Sequence, residues 1–291
     1  MLCLLPLQPS SQLAQQKPTY LLRITDRIGQ VSRYRLVFDI QMRAEYQGSA
    51  ELDVRARQLM ETLAKGMGLR TAVEYEQRLV KVAADGTRTF EVRWRDYDFT
   101  GDIGGQPIAP PPQHLESTRE LLSRVALVST TPTGRTLAVE AQHPGLAGMA
   151  KRFEQMEEAM PTYLPEQAVG AGDRWTSVAN FPLEITAGGT GSMALELEHE
   201  LVAFREGREG PIALIALAGD FSRLQGIEAV AGGVPMHVET SLTGSTLFDV
   251  ARGRFVEGQY EIDMFALHAA DGVEIQLIGH ANGRLELMDT R

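Results

Sequence analysis

The chain has 291 residues, of which 43% are hydrophobic and 23% charged, and its 28 basic and 38 acidic side chains give a formal net charge of −10. That acidic balance argues against nucleic acid as a partner, because phosphate recognition needs a basic footprint that releases counterions. The sequence has no run of the roughly 18 apolar residues that a spanning helix requires, and its single cysteine, Cys3, excludes an intrachain disulfide.

Met1 to Leu7 is apolar, and residues 8–17 are polar and rich in Ser and Gln. The pair resembles the tail of a secretory signal that lacks its charged start, so residues 1–17 are expected to be signal-like or disordered and the protein to be exported. The alternative is a disordered cytoplasmic N-terminus. Residues 18–142 form the first β-rich half. From Arg33 to Tyr46 the alternation is nearly unbroken, with Tyr34, Leu36, Phe38, Ile40, Met42, Ala44 and Tyr46 on one face. This predicts a half-buried antiparallel strand of about 46 Å, long enough to coil and curve its sheet. Ala50, Leu52, Val54 and Ala56 continue the alternation as a return strand, and over residues 57–66 a short helix competes with strand.

Asp85-Gly86 suits a two-residue hairpin loop. That loop pairs Leu79 with Val92 and Tyr75 with Asp96, and puts Val73, Tyr75, Leu79, Phe90, Val92 and Trp94 on one face. Residues 102–113 read as a Gly/Pro loop and residues 115–124 as a short helix. A further hairpin turns at Pro132-Thr133-Gly134.

Residues 143–175 hold the one long segment with helical spacing. Leu146, Met149, Phe153, Met156 and Met160 step by 3 and 4, which predicts a helix with one apolar stripe, ended by Pro161. The stripe needs a cover, and the strand-rich flanks are the expected one. A Gly172-Asp173-Arg174-Trp175 turn then starts a strand with its indole inward. Residues 176–291 form the second β-rich half. Its long strand carries Leu197, His199 and Leu201 on one face, a return strand spans 212–218, and a further strand spans 242–250. The last hairpin turns at Asp271-Gly272, pairing Ala266 with Leu277, Met264 with Gly279 and Ile262 with Ala281. The expected fold is therefore mainly β with one or two packed helices (α+β). It is a strongly curved antiparallel sheet or half-barrel of two similar halves around the central helix.

This order of elements, with its Gly172-Asp173-Arg174-Trp175 turn, resembles a group of bacterial exported or lipoprotein-like two-repeat β proteins of unknown function. More loosely it is similar to periplasmic lipoprotein-carrier half-barrels. The resemblance implies a cell-envelope location and an apolar cavity, and it transfers no catalytic residue.

Candidate chemistry is sparse. His268, Asp271, Glu274 and His280 are the best local metal candidates, but the predicted register puts the two histidines on opposite faces, with Asp263 facing His280 as a charge pair. No Gly-x-Ser-x-Gly elbow occurs, and Gly188-Gly189-Thr190-Gly191 lacks the Lys-Ser/Thr of a phosphate loop. No metal, cofactor or catalytic residue is expected, and an esterase would need one of His199, His237 or His280 beside a Ser or Asp in a cleft. The expected function is non-enzymatic binding of a lipid or other apolar small molecule, with peripheral membrane association. The candidate ligand contacts are Met149, Phe153, Met156, Met160, Trp94 and His199. The alternative is a partner-binding or structural module with a filled core.

Overall fold

The computed structural model describes residues 18–48, 54–109, 122, 124–142, 164–185, 189–221, 224–225, 236–270 and 273–290. Its elements in chain order are β1 (Val31–Gly48), α1 (Val54–Ala64), β2 (Met67–Val82), β3 (Arg88–Ile103), β4 (Gln106–Ile108), β5 (Val125–Thr130) and β6 (Thr136–Ala141). They continue as β7 (Arg174–Ile185), β8 (Gly189–Glu206), β9 (Pro211–Phe221), β10 (Leu224–Gln225), β11 (Met236–Asp249), β12 (Arg254–Ala270) and β13 (Val273–Thr290). The thirteen strands form one sheet, and every pairing is antiparallel. From one edge the order runs β7, β8, β9, β11, β12, β13, β1, β2, β3, β5, β6. The short β10 extends the β9 ladder along β8, and β4 folds back on β3. The two strand-rich halves are thus neighbours in a single sheet, joined where the first strand pairs with the last from Ser32↔Thr290 to Gly48↔Val273.

The alternation of β1 has the consequence expected for a half-buried strand. Tyr34 and Ala44 are buried on the inner face while Arg35, Gln41, Arg43 and Glu45 are exposed on the outer one. The outer face is laced with cross-strand ion pairs. Arg70 meets Asp39 at 3.1 Å, Arg78 meets Glu91 at 2.6 Å, Arg95 meets Glu76 at 2.5 Å, and Arg174 reaches both Glu198 and Glu200. Each exposed pair adds at most about 1 kcal/mol. Their larger effect is on register, since a one-residue slip would drive these charges into the apolar side.

Among the described residues, two core clusters lie toward one end of the inner face. One gathers Leu22, Leu164, Val169, Leu201, Ala213, Ile215 and Phe248. The other gathers Leu79, Phe90, Val92, Trp94, Ala126 and Val128, and Ile24 packs against both. One residue bridges clusters built on strands at opposite sides of the sheet, so the sheet is curled, with its apolar face concave. The bridge belongs to an extended plug, residues 18–30, held by backbone hydrogen bonds to four places. Tyr20 pairs with Val169, Ile24 N–H donates to the Pro132 carbonyl, Thr25 N–H donates to that of Gly253, and Gly29 N–H donates to that of Leu79. Residues 164–170 lie beside it, and Leu164 N–H donates to the Thr133 carbonyl.

Several expectations need correction. Val54 to Ala56 begins a helix rather than continuing a return strand, and over residues 57–64 helix prevails over strand, in keeping with a run of Arg, Gln, Leu, Met, Glu and Ala that favours it. The helix ends before Gly66, which adopts φ +81°. The Asp85-Gly86 hairpin has a three-residue loop, Ala84 to Gly86, and a bulge at Val80, so Leu79 faces Phe90 and Tyr75 faces Trp94. The error is two residues, an even number, and the expected face survives intact. Part of the Gly/Pro loop is a hairpin, with Gly104 and Gly105 both at positive φ between β3 and β4. The Pro132 hairpin, the Gly172–Trp175 turn and all three predicted pairs of the last hairpin are as expected. The stretch expected to form the central helix, 145–160, lies outside the described residues.

Candidate ligand-binding face

Register places the inner-face residues in rows across the sheet. The row through Phe38 reads Trp175, His199, Leu217, Gly244, Tyr260, Gly283, Phe38, Thr71, Phe99 from β7 to β3. The next reads Ser177, Leu197, Gly219, Leu242, Ile262, Ala281, Ile40, Leu69, Gly101. A third, from β11 to β3, reads Thr240, Met264, Gly279, Met42, Met67, Ile103. Beyond it lie Ala266, Leu277 and Ala44, then Ile275 and Tyr46. These rows contain no Asp, Glu, Lys or Arg.

Aromatic rings fill the space that the glycines leave. A Cβ on Gly283 would meet the Phe38 ring at 3.0 Å, and one on Gly244 or Gly258 would meet Tyr260. Away from the plug burial varies along the rows, with Leu197, Leu242, Thr240, Ala44 and Ala266 buried. Phe38, Ile40, Met42, Leu69, Met67 and Ile103 are all half-buried, whereas Leu201 and Phe248 beneath the plug are 0% exposed.

Trp94 and His199, the two candidate contacts that fall on described residues, sit at the covered end. Trp94 is 5% exposed inside the second cluster. His199 is 2% exposed, its ring stacks on Trp175 with centroids 5.3 Å apart and planes at 5°, and its Nε2 lies 2.8 Å from the Ser177 hydroxyl. Burial lowers its pKa to about 4, so the ring is neutral at pH 7. Ser177 also lines a groove of about 840 Å³ between the β5–β6 turn and β7. A Ser–His contact beside a groove is the arrangement an esterase needs, yet this imidazole is a weak base and no described carboxylate meets its Nδ1. Met149, Phe153, Met156 and Met160 lie outside the described residues.

On the outer face Asp263 opposes His280, as the register predicted, with Oδ1 2.7 Å from Nδ1. Glu261 approaches the other ring nitrogen at 3.9 Å, and Asn282 lies 2.9 Å from it. Among the described residues Glu261, Asp263 and His280 form the one cluster of metal-ligand type. Its two carboxylates address opposite nitrogens of one ring, rather than converging from one side as ligands of a shared ion would.

The plug and the methionines of the third row were not singled out in the sequence. Alternation of Tyr20, Leu22 and Ile24 was the available signal for the plug. Met42 was placed on the inner face of its strand, but Met67 and Met264 join it only through cross-strand register.

No family model and no curated protein matches the chain, so the resemblance to the exported two-repeat group gains no family support. Among solved structures it is similar to one of lipovitellin determined for its lipid–protein interactions, with a TM-score of 0.52 and 9% identity. The match covers 92% of this chain and 26% of that one, so the chain spans about a quarter of the length of its structural relative. At that identity the likeness is one of fold: a large curved antiparallel sheet.

Proposed function

We propose that this protein binds lipid or a similar apolar ligand, without catalysis, on the concave face of its sheet. The carrying observation is the set of inner rows free of acidic and basic side chains, on which Phe38, Ile40, Met42, Met67, Leu69 and Ile103 are half-buried. At about 25 cal/mol per Å² of apolar surface, leaving such a face wet is costly, and patches of this extent mark interaction sites. Methionines 42, 67 and 264 suit the role, because flexible thioethers adapt to ligands of irregular shape. The fold shared with lipovitellin supports the reading, since that structure concerns lipid–protein interactions. A cell-envelope location and peripheral membrane association go with this proposal, on the strength of the signal-like N-terminal composition.

Native mass spectrometry of the full chain after mild extraction tests it. Bound lipid, or uptake of a fluorescent fatty acid with micromolar affinity, is expected, and Leu69→Asp should weaken that uptake at least tenfold by placing a carboxylate in the second row. A protein that carries no lipid and takes up no fatty acid would leave the alternative, a structural module with a filled core.

A further inference from the structure

Where the plug meets the sheet, the sign of the local charge reverses. A cleft of about 560 Å³ is lined there by Arg27 of the plug, by Arg252 and Arg254 at the start of β12, by Glu209 of the β8–β9 turn, and by Leu287 and Met288 of β13. Three guanidinium groups thus share one cleft with a single lining carboxylate, on a chain whose net charge is −10.

The acidic neighbours do not use up this charge. Arg252 pairs with Glu209 and stands 4.0 Å from Asp249. Arg254 is 4% exposed and faces Asp26 of the plug, which Arg88 of β3 faces as well. Arg27 is exposed and forms no ion pair with a described carboxylate. Four guanidinium groups, Arg27, Arg88, Arg252 and Arg254, are therefore set against three carboxylates, Asp26, Glu209 and Asp249. A guanidinium also carries several N–H donors in a planar fork, so Arg252 can hold Glu209 and still donate to a ligand.

Arginines brought together from separate elements suit an oxyanion with several oxygens. A carboxylate offers two oxygens and is satisfied by one guanidinium, whereas a phosphate can accept from two or three. The cleft is larger than a bare phosphate needs, and Leu287 and Met288 give it an apolar wall. We propose that this cleft binds a phosphate monoester, held by Arg27 on the plug and by Arg252 and Arg254 beside β12, with its organic group against Leu287 and Met288. An anion held in this way ties the plug to the sheet. The site is separate from the inner rows and does not rest on the lipid reading.

Calorimetric titration of the full chain with phenyl phosphate and with inorganic phosphate, at constant ionic strength and about pH 7.5, tests the site. One saturable site is expected, with phenyl phosphate bound at least about threefold more tightly because of the apolar wall. Arg27→Gln and Arg252→Gln change exposed side chains, and each should weaken phenyl phosphate at least about fivefold by removing a charged donor. Arg35→Gln, on the outer face of β1, should bind as the parent does. Asp26→Asn removes the carboxylate that faces Arg254 and should tighten binding by about twofold or more. Flotation with phosphatidylcholine vesicles that contain phosphatidic acid, reversed by phenyl phosphate, would identify a lipid headgroup as the source of the phosphate. Saturable phenyl phosphate binding without flotation would identify a soluble ester. Inorganic phosphate bound as tightly as phenyl phosphate overturns the ester assignment, and no saturable binding, or an equal loss in Arg35→Gln, overturns the site.

Discussion

Two buried titratable side chains hold opposite stakes in acid. Asp26, 8% exposed in the plug, accepts from Gln30 Nε2 at 3.1 Å and faces Arg254 of β12 and Arg88 of β3. Burial outweighs both arginines and raises its pKa from 3.8 to about 6. The fold therefore favours its protonated form, and this contribution, present at low pH, is lost as pH rises through about 6. His199 is the reverse. With its pKa lowered from 6.5 to about 4, it contributes stability above 6.5 that disappears as pH falls to 4. Each effect is worth roughly 3 kcal/mol, so in the parent they largely offset between pH 4 and 6. Asp26→Asn should expose the histidine, giving a protein that loses roughly 3 kcal/mol on acidification from pH 6.5 to 4. His199→Gln keeps a partner for Ser177 and should become more stable over the same range. Urea denaturation across that pH series reads both, and parallel curves for parent and variants would refute the assignment.

At the scale of elements, the plug decides how the sheet is held. Leu22 is 0% exposed in the first cluster, and Ile24 two residues on reaches the second. Leu22→Ala should cost roughly 2 to 5 kcal/mol, the usual range for a fully buried leucine, measured as a lower urea midpoint at constant slope. Gly253, in the turn before β12, is one of the plug's anchors. It adopts φ +60°, and a Cβ there would stand 2.4 Å from Thr25 N and 2.5 Å from Arg23 O, both backbone atoms with no room to yield. Gly253→Ala should release the segment, so that amide exchange rises across residues 20–29 while the protection of β12 and β13 persists. The hairpin at residues 83–87 shows which local signals suffice. Its Asp85 side chain accepts the Thr87 N–H at 2.9 Å and Gly86 takes φ +86°, so the turn residues fixed the place of reversal. Loop length and the bulge at Val80 came from the twist of the strands, which no dipeptide encodes. In α1 the conflict was between alternation and helix propensity over a few residues, and propensity won where nothing pairs with the segment.

For the whole molecule, the junction of β1 with β13 makes one body of two halves. The pairing runs nearly the full length of both strands, and the Tyr34 hydroxyl reaches toward the Phe255 carbonyl at 3.4 Å across it. Thermal unfolding should therefore be a single transition, with calorimetric and van't Hoff enthalpies in agreement. Two separated transitions would mean that the halves are independent domains.

Strand alternation, turn dipeptides and the charge on alternate faces were fully legible in the order of residues, because period-2 patterning and local backbone preference act within a few positions. From them followed the long strands, the Asp271-Gly272 register and the inward place of His199. The rows themselves were not legible. Met42 and Met67 meet Gly279 and Met264 only because the first two strands align with the last two, and the plug, which touches core clusters at both sides of the sheet, carries no element pattern of its own. Long-range register and curvature arise from burial summed over the entire sheet, a quantity no local window contains, and they decide where the uncharged surface collects.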